Sequence, residues 1–244
     1  MSNITNKIKE NFMKETINDL WDYYYKHLTN KELKTWDWVV LTASNENQAK
    51  IYTDEINYRI KQNMIPDNIN YLVVPDPDGK RVGSGGATLG VLQEIKKRDE
   101  RKFEDLKILI IHSGGDSKRV PQYSVCGKLF SPVQRELPNG RVSSLFDEFM
   151  ITFLSVSDRM SPGMVLLSGD VMLSFNPLQV DLFHLDSAAI SIKESAVIGQ
   201  EHGVFLSDNN GRLLEFLHKK SIKELKEKGA INNSNNVDID TGAI

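Results

Sequence analysis

The apolar residues of the chain recur with two different periods, which predict helices and strands in alternation. In residues 4–28, apolar side chains such as Ile8, Phe12, Leu20 and Leu28 recur mostly at intervals of three or four positions. This spacing predicts a helix with one apolar stripe. Unbroken apolar runs, of which residues 107–111 are the clearest, predict buried strands instead.

The same reasoning assigns the rest of the chain. Further helices are predicted at 45–65, 86–101, 143–156 and 221–231, and strands at 36–44, 69–75, 106–115, 163–173, 188–195 and 237–244. Residues 203–219 predict a hairpin that turns at Asp208–Gly211. Helix caps are expected at Ser44 or Asn45, at Ser143 or Ser144, and at Ser221, which forms a capping box with Glu224.

Strands that alternate with helices predict an α/β fold with a mainly parallel sheet, and the late hairpin makes that sheet mixed. We expect a single domain over residues 1–244, with an N-terminal helical and α/β portion at 1–69 and a motif-bearing portion at 70–244. The final residues have the pattern of a strand entering further structure, so we expect the sequence to be a piece of a longer chain.

Composition narrows the class of function. The 244 residues include 40% hydrophobic and 26% charged residues, as in an ordinary globular protein, and the net charge is −3. This charge argues against a general nucleic-acid or anionic-membrane binder, which needs broad positive patches. The lone cysteine, Cys126, excludes a disulfide framework within the chain, so we expect a cytoplasmic protein.

Two glycine-rich segments are candidates for phosphate binding. The first, with Gly83, Ser84, Gly85 and Gly86, leads into the helix predicted at 86–101. The second, with Gly114 and Gly115, follows the strand at 106–115. Glycines at a strand end let a phosphate approach the backbone N–H groups, and a helix N-terminus adds partial positive charge. Either segment by itself could equally be a tight turn.

Cations cluster after the second glycine pair. Lys118, Arg119, Lys128 and Arg135 share residues 116–135 with a single acidic residue, Asp116. Phosphoryl and nucleotidyl transfer build up negative charge that Arg, Lys and a metal ion stabilise. Arg119 and Lys128 are therefore the catalytic candidates, with Lys118 beside the nucleotide, although solvated surface charge is the competing interpretation.

Acidic residues at strand ends are candidates for Mg²⁺. Asp170 follows a buried strand and Gly169, where a carboxylate is costly unless it is paired or bound to a metal. Asp240 could complete this site, since Asp238 and Asp240 share one face of a strand. Lys193 and His202 are candidates for substrate binding. A competing interpretation remains open for each of three residues. Asp170 could cap a turn, Lys193 could be a surface residue, and His202 could make a structural hydrogen bond.

The motifs resemble those of a known family. The segment SGGDSKRVPQYSVCGKLFSPV resembles the signature of sugar-1-phosphate nucleotidylyltransferases, with a strand, paired glycines, an Arg, a Pro and a downstream Lys. More closely, RVGSGGATL, IIHSGGDSKRVPQYSVCGKLFSPVQRELPNG, SLFDEF, LLSGDVML, HGVFL, FLHKKS and VDIDTGAI resemble the pyrophosphorylase part of the fucokinase/fucose-1-phosphate guanylyltransferase family. The resemblance runs from about residue 70 to the end. One departure from the common signature is that Gly127 and Leu129, rather than prolines, flank Lys128.

This resemblance implies a Rossmann-like GT-A nucleotidyltransferase sandwich that converts GTP and L-fucose 1-phosphate to GDP-L-fucose and pyrophosphate with Mg²⁺. It places the glycines at 83, 85, 86, 114 and 115 around the nucleotide, Arg119 and Lys128 on its phosphates, Asp170 on the metal, and Lys193 at the sugar phosphate. The family's C-terminal sugar kinase domain is not in the sequence. Two alternatives stay open: a sugar kinase of the GHMP type, which RVGSGGATLGVL superficially resembles, and a catalytically silent nucleotide-binding fragment.

Overall fold

The computed structural model of the chain describes residues 2–113, 127–137 and 139–244. These residues form two compact units, residues 1–186 and 187–244. The sequence predicts a single nucleotidyltransferase-like domain, divided after residue 69 because the motifs begin there. This domain assignment stays a prediction. Among the described helices, none is long and apolar enough to cross a membrane.

The first unit is built around four parallel strands. Its elements are α1 (Ser2–Thr29), β1 (Trp38–Ala43), α2 (Glu46–Lys61), β2 (Asn70–Pro75), α3 (Gly83–Lys96), β3 (Lys107–His112), β4 (Pro132–Glu136), β5 (Val142–Ser144), α4 (Leu145–Phe153) and β6 (Gly163–Ser168). The parallel strands lie in the order β2-β1-β3-β6. A separate antiparallel hairpin pairs β4 with β5.

Burial along the central strands explains why their sequences are apolar without alternation. Every residue of β1 is buried, and so are the four central residues of β3. Trp38, Val40, Ile108 and Ile110 pack with Val91 and other residues of α3 in one cluster. Both faces of a parallel sheet are covered in this way, so consecutive positions must all be apolar.

The second unit is antiparallel. It contains β7 (Ile190–Ser195), α5 (Ala196–Gly199), β8 (Gly203–Ser207), β9 (Leu213–His218), α6 (Ile222–Glu227) and β10 (Asn236–Ala243), with the strands in the order β7-β10-β8-β9. Buried and half-buried residues alternate along β10, as expected for a strand with one covered face. The predicted α/β class, Rossmann-like with a mixed sheet, is confirmed, and its parallel strands are those of the first unit.

The predicted caps are confirmed in detail. The Asn45 side chain accepts the Gln48 N–H at 3.0 Å and caps α2. Ser144 rather than Ser143 caps α4, in a capping box with Asp147. Ser221 and Glu224 form the capping box of α6, and the β8–β9 hairpin turns at Asp208–Gly211.

Two predictions need correction. The apolar stripe of α1 packs only in its second half, since Thr16, Leu20, Tyr24 and His27 are buried whereas Ile8 and Phe12 are 63% and 45% exposed. The glycine segment at 83–86 is not a loop before a helix but the first turn of α3 itself.

Candidate active site

The carboxyl ends of β1, β2 and β3 surround an open cleft in the first unit. From β1 the chain passes through α2 to β2 on one side, whereas β3 lies on the other side of β1 and continues to β6. Open α/β sheets bind their ligands at such a reversal of strand order. The cleft of about 220 Å³ there is lined by Thr42, Ala43, Ser44, Asp76, Arg81, Gly83, Ser84, Ala87, His112 and Ser113.

The first turn of α3 forms one wall of this cleft, and two of its glycines are required by the backbone. Gly83 has φ +73°, a conformation that favours glycine, and a Cβ on Gly86 would lie 2.8 Å from the Val82 Cβ. A Cβ on Gly85 would meet nothing within 4 Å. The first N–H groups of a helix have no partner within the helix and point toward its start, where they favour an anion.

His112, at the end of β3, joins α3 to the neighbouring strand through two threonines. Its Nε2 lies 3.1 Å from the Thr88 Oγ1, and its Nδ1 lies 3.5 Å from the Thr42 Oγ1. The Thr88 hydroxyl donates to the Ser84 carbonyl oxygen at 2.9 Å, so it accepts from a protonated Nε2. The Thr42 Oγ1 in turn accepts the Ser113 N–H at 3.1 Å.

Burial lowers the pKa of His112, and this effect is partly offset by the nearby Asp76 carboxylate. A neutral imidazole with its proton on Nε2 fits both threonine contacts. The network therefore ties the first turn of α3 to Ser113, the residue that precedes the second glycine pair. We assign His112 a structural role in holding these two segments together.

At the end of β6, Lys128 and Asp170 form an ion pair. The Lys128 Nζ lies 3.3 Å from the Asp170 Oδ2, and the Ser168 hydroxyl donates to the Asp170 Oδ1 at 2.9 Å. Gly169 approaches β3 closely: its N–H donates to the His112 carbonyl oxygen at 2.7 Å, and a Cβ would lie 2.5 Å from that oxygen. The structure thus brings together two of the sequence-predicted catalytic residues.

A buried aromatic and ionic cluster anchors the short 3₁₀ turn Lys128–Phe130. The Arg59 guanidinium lies 4.8 Å from the Phe130 ring centroid and donates from Nε to the Asp147 Oδ1 at 2.7 Å. The Arg59 and Asp147 side chains are only 8% and 2% exposed. Tyr52 packs edge-on against the same ring. Because Phe130 is held from two sides, the position of Lys128 two residues earlier is also constrained.

Comparison with known proteins decides the family. A sequence profile described as the fucose pyrophosphorylase domain matches residues 100–244, more than half of the chain. The chain belongs to the fucose pyrophosphorylase family. The matched residues include Lys128, Ser168 and Asp170 and the whole second unit.

Curated relatives carry both activities of the family in their names. The chain is 31% identical, over 80% of its length, to fucose-1-phosphate guanylyltransferase of Homo sapiens. It is 29% identical over 86% to the bifunctional fucokinase/GDP-fucose pyrophosphorylase of Arabidopsis thaliana, and 30% identical over 64% to the L-fucokinase/L-fucose-1-P guanylyltransferase of Bacteroides fragilis. The matches cover 34%, 23% and 18% of these relatives, so the chain spans about a third of their length or less.

The remaining candidates of this fucose pyrophosphorylase domain lie in the second unit or outside the described residues. The Lys193 Nζ pairs with the Asp238 Oδ1 at 2.8 Å, across the register between β7 and β10. Asp240 accepts the Gly242 N–H at 2.8 Å, and His202 is exposed just before β8. Their binding roles stay predictions. The glycines at 114 and 115, Lys118 and Arg119 lie outside the described residues.

The donor set around Asp170 fits a magnesium ion held by one carboxylate. Within residues 2–113, 127–137 and 139–244, each of its oxygens has one contact, with Ser168 or with Lys128, which leaves a lone pair on each for a metal ion. Mg²⁺ commonly uses one or two carboxylates, keeps several waters and takes substrate phosphates as its other ligands. No group of three or more His, Cys, Asp or Glu residues suited to a metal occurs among the described residues, so the described part offers Asp170 as a single anchor.

Several lining residues of the cleft were missed by the sequence reasoning, namely Thr42, Ser44, Asp76, Arg81 and Ser113. Each lies at or shortly after the end of a strand, which was a usable signal. What the sequence lacked was the strand order, because only neighbouring parallel strands bring their carboxyl ends to one cleft.

Proposed function

We propose that this fucose pyrophosphorylase domain binds GTP and L-fucose 1-phosphate and forms GDP-L-fucose and pyrophosphate. The observation that carries the proposal is that the Lys128–Asp170 pair and the glycine turn of α3 both lie at carboxyl ends of the parallel strands in a chain of this family. The relatives named for this activity supply the substrates, and the cleft supplies a place for a nucleotide.

The reaction needs charge stabilisation more than proton transfer. An oxygen of the sugar phosphate attacks the α-phosphorus of GTP, a new P–O bond forms, and the bond from the α-phosphorus to the bridging oxygen of pyrophosphate breaks. The nucleophile is already an anion, so no general base is required. Catalysis then rests on alignment and on cations near the non-bridging oxygens.

Each described residue has a definite part in this proposal. The N–H groups of the first α3 turn hold phosphate oxygens, and the Lys128 ammonium neutralises charge that develops on the triphosphate. Asp170 holds Mg²⁺, which supplies electrostatic stabilisation of the phosphates when bound. The existing ion pair keeps the Lys128 Nζ within 3.3 Å of the Asp170 carboxylate and so positions the cation before substrate binds.

Other residues keep the roles predicted from the sequence. Arg119 and Lys118 would contact the nucleotide with the glycines at 114 and 115. Lys193, which already balances Asp238, would exchange that partner for the sugar phosphate. His202 would contact the substrate and Asp240 would be a further metal ligand.

The test is pyrophosphate release by the purified chain with Mg²⁺, GTP and L-fucose 1-phosphate. We expect release by the parent and at least about a hundredfold loss in Lys128→Met and in Asp170→Asn, the size seen when one preorganised charge is removed. Lys102→Met, at an exposed lysine paired only with Glu104 in the described part, is the matched control.

The products separate the alternatives. A sugar kinase would release a nucleoside diphosphate from ATP and phosphorylate free L-fucose, without pyrophosphate. A silent fragment would bind GTP and release neither product. Equal pyrophosphate release by the parent, Lys128→Met and Asp170→Asn would contradict the assigned roles of both residues.

A further inference from the structure

Two adjoining cavities of the first unit differ in chemistry and share Asp76 and Ala87. The cleft already described is lined by hydroxyl groups, an imidazole and the glycine turn of α3. The second cavity, of about 190 Å³, has an apolar wall formed by Val74, Pro75, Pro77, Val82 and Leu89. Val82 and Leu89 are 41% and 64% exposed, so apolar surface is left open there. Such a slot suits a flat, largely apolar ring attached to a polar group.

Asp76 stands where the two cavities meet. It directly follows β2, and its backbone N–H donates to the Ala43 carbonyl oxygen at 2.7 Å, which fixes the start of its side chain. The residue is half-buried, and its carboxylate oxygens accept no hydrogen bond within residues 2–113, 127–137 and 139–244. Burial raises the pKa of Asp76, although the Arg81 guanidinium, and His112 when it is protonated, partly offset this effect. A carboxylate that is partly removed from water and accepts no hydrogen bond gains binding free energy from a ligand that supplies hydrogen-bond donors.

The chemistry of the bases determines which ring matches a carboxylate. An ionised carboxylate offers two adjacent acceptors and no donor. Guanine presents two adjacent donors, N1–H and the 2-amino group, on one edge. Adenine and cytosine place a ring acceptor beside their amino group, and uracil flanks its N3–H with two carbonyl oxygens. A bidentate contact of two donors with one carboxylate is therefore available to guanine alone among these bases.

We propose that Asp76 is the residue by which this domain selects guanine, accepting hydrogen bonds from N1–H and the 2-amino group of a ring held in the apolar slot. The inference rests on the proposed function, because it concerns the nucleotide of that reaction. The ribose and phosphates then extend over the polar cleft toward Gly83 and Ser84, which line it. This orientation keeps the Asp76 carboxylate with the base and away from the triphosphate charge.

The test compares nucleotide binding by the parent chain, by Asp76→Asn and by Asp78→Asn, using titration calorimetry with GTP, ITP, XTP, ATP and 2′-deoxy-GTP in Mg²⁺ buffer. Asp78 makes the matched control, since it lies two residues away, is exposed and lines neither cavity. ITP lacks the 2-amino donor, whereas XTP carries a carbonyl oxygen in its place. An asparagine amide can donate to that oxygen, which a carboxylate cannot do.

For the parent and Asp78→Asn, we expect GTP to bind about tenfold to a hundredfold more tightly than ITP, XTP or ATP, the range for one bidentate contact. Asp76→Asn should lose this preference for GTP over ITP and should bind XTP at least tenfold more tightly than the parent does. A gain in XTP affinity cannot arise from misfolding, so it identifies a direct contact with the base.

Three results would overturn the proposal. Unchanged GTP selectivity in Asp76→Asn would remove the carboxylate from base recognition. Loss of discrimination between GTP and 2′-deoxy-GTP, without any gain in XTP affinity, would assign Asp76 to the ribose instead. Failure of the parent to bind GTP would refute both this inference and the proposed function. Selective GTP binding that switches as predicted, but without pyrophosphate release, would support Asp76 as the guanine-selecting residue and refute only the reaction.

Discussion

Replacing Gly127 by alanine tests how the catalytic lysine is positioned. Gly127 directly precedes Lys128 and has φ 69° and ψ 162°, a region that glycine alone adopts readily. A Cβ at this position would lie 2.0 Å from the Tyr52 Oη and 3.1 Å from the Gln48 Nε2. Tyr52 is completely buried, so its ring cannot swing into solvent to make room.

The expected cost has two parts. The strained backbone contributes ~1–3 kcal/mol, and forcing an extra carbon into a closed core contributes ~1–3 kcal/mol. Gly127→Ala should therefore lower the free energy of unfolding by about 2–6 kcal/mol. For a chain of this size, each kcal/mol lowers Tm by about 2–4 °C.

Urea denaturation of Gly127→Ala, Tyr52→Phe and the double variant separates the two parts. Removing the hydroxyl oxygen should take away the closest contact but leave the ring carbon Cζ at 3.0 Å and the backbone strain, so the double variant should be about 1–2 kcal/mol more stable than additivity predicts. Gly140→Ala is the matched control: Gly140 has φ +77° with nothing within 4 Å of its Cβ position, so only backbone strain, about 1–2 kcal/mol, applies.

A cost for Gly127→Ala no greater than that of Gly140→Ala would refute the steric argument, and an additive double variant would show that Tyr52 is not the obstacle. We also expect Gly127→Ala to weaken GTP binding more than Gly140→Ala does, because a displaced Gly127 moves Lys128 away from the Asp170 carboxylate.

Three further predictions concern the supports of the site. Arg59→Met leaves the buried Asp147 carboxylate without its guanidinium and should lower the free energy of unfolding by about 3–5 kcal/mol in urea denaturation; a loss under 1 kcal/mol would contradict a fully desolvated pair. Gly169→Ala should cost about 1–3 kcal/mol by the same assay, since its Cβ would meet the His112 carbonyl oxygen at 2.5 Å. Burial lowers the pKa of His112, so as the pH falls below about 6.5 the imidazole is protonated in the unfolded chain before it is protonated in the folded chain. The contribution of His112 to stability is therefore present above that pH and declines below it. The difference in stability between the parent and His112→Asn, followed by urea denaturation from pH 8 to pH 5, should therefore shrink toward low pH, and a difference that grows would contradict the direction of the pKa shift.

Element type and helix ends were predictable because they depend on a few neighbouring residues. The caps at Asn45, Ser144 and Ser221 each satisfy an N–H group within three positions of the cap, a contact that the sequence specifies locally. The buried run in β3 and the alternation in β10 likewise record how many faces of each strand are covered.

The wrong predictions of secondary structure and burial also have local physical causes. The first half of α1 carries apolar residues at helical spacing, but the described residues leave Ile8 and Phe12 exposed, so periodicity alone did not establish burial. The β4–β5 hairpin was missed because its strands are short and contain Pro132, which disfavours a strand prediction. At 83–86, the glycines predicted as a loop form the first turn of α3, and the chain enters that turn through the positive φ of Gly83.

For the site, the sequence by itself singled out Lys128, Asp170 and the glycines at 83–86 as candidates for phosphate and metal binding, and these roles stay predictions. Only the tertiary structure decided that β3 lies between β1 and β6, that Lys128 pairs with Asp170, and that Asp76 and His112 line one cleft. Local patterns fix hydrogen bonding within a helix or strand. Strand order is instead set by long-range packing of helices on both sheet faces, and no short stretch of sequence contains that information.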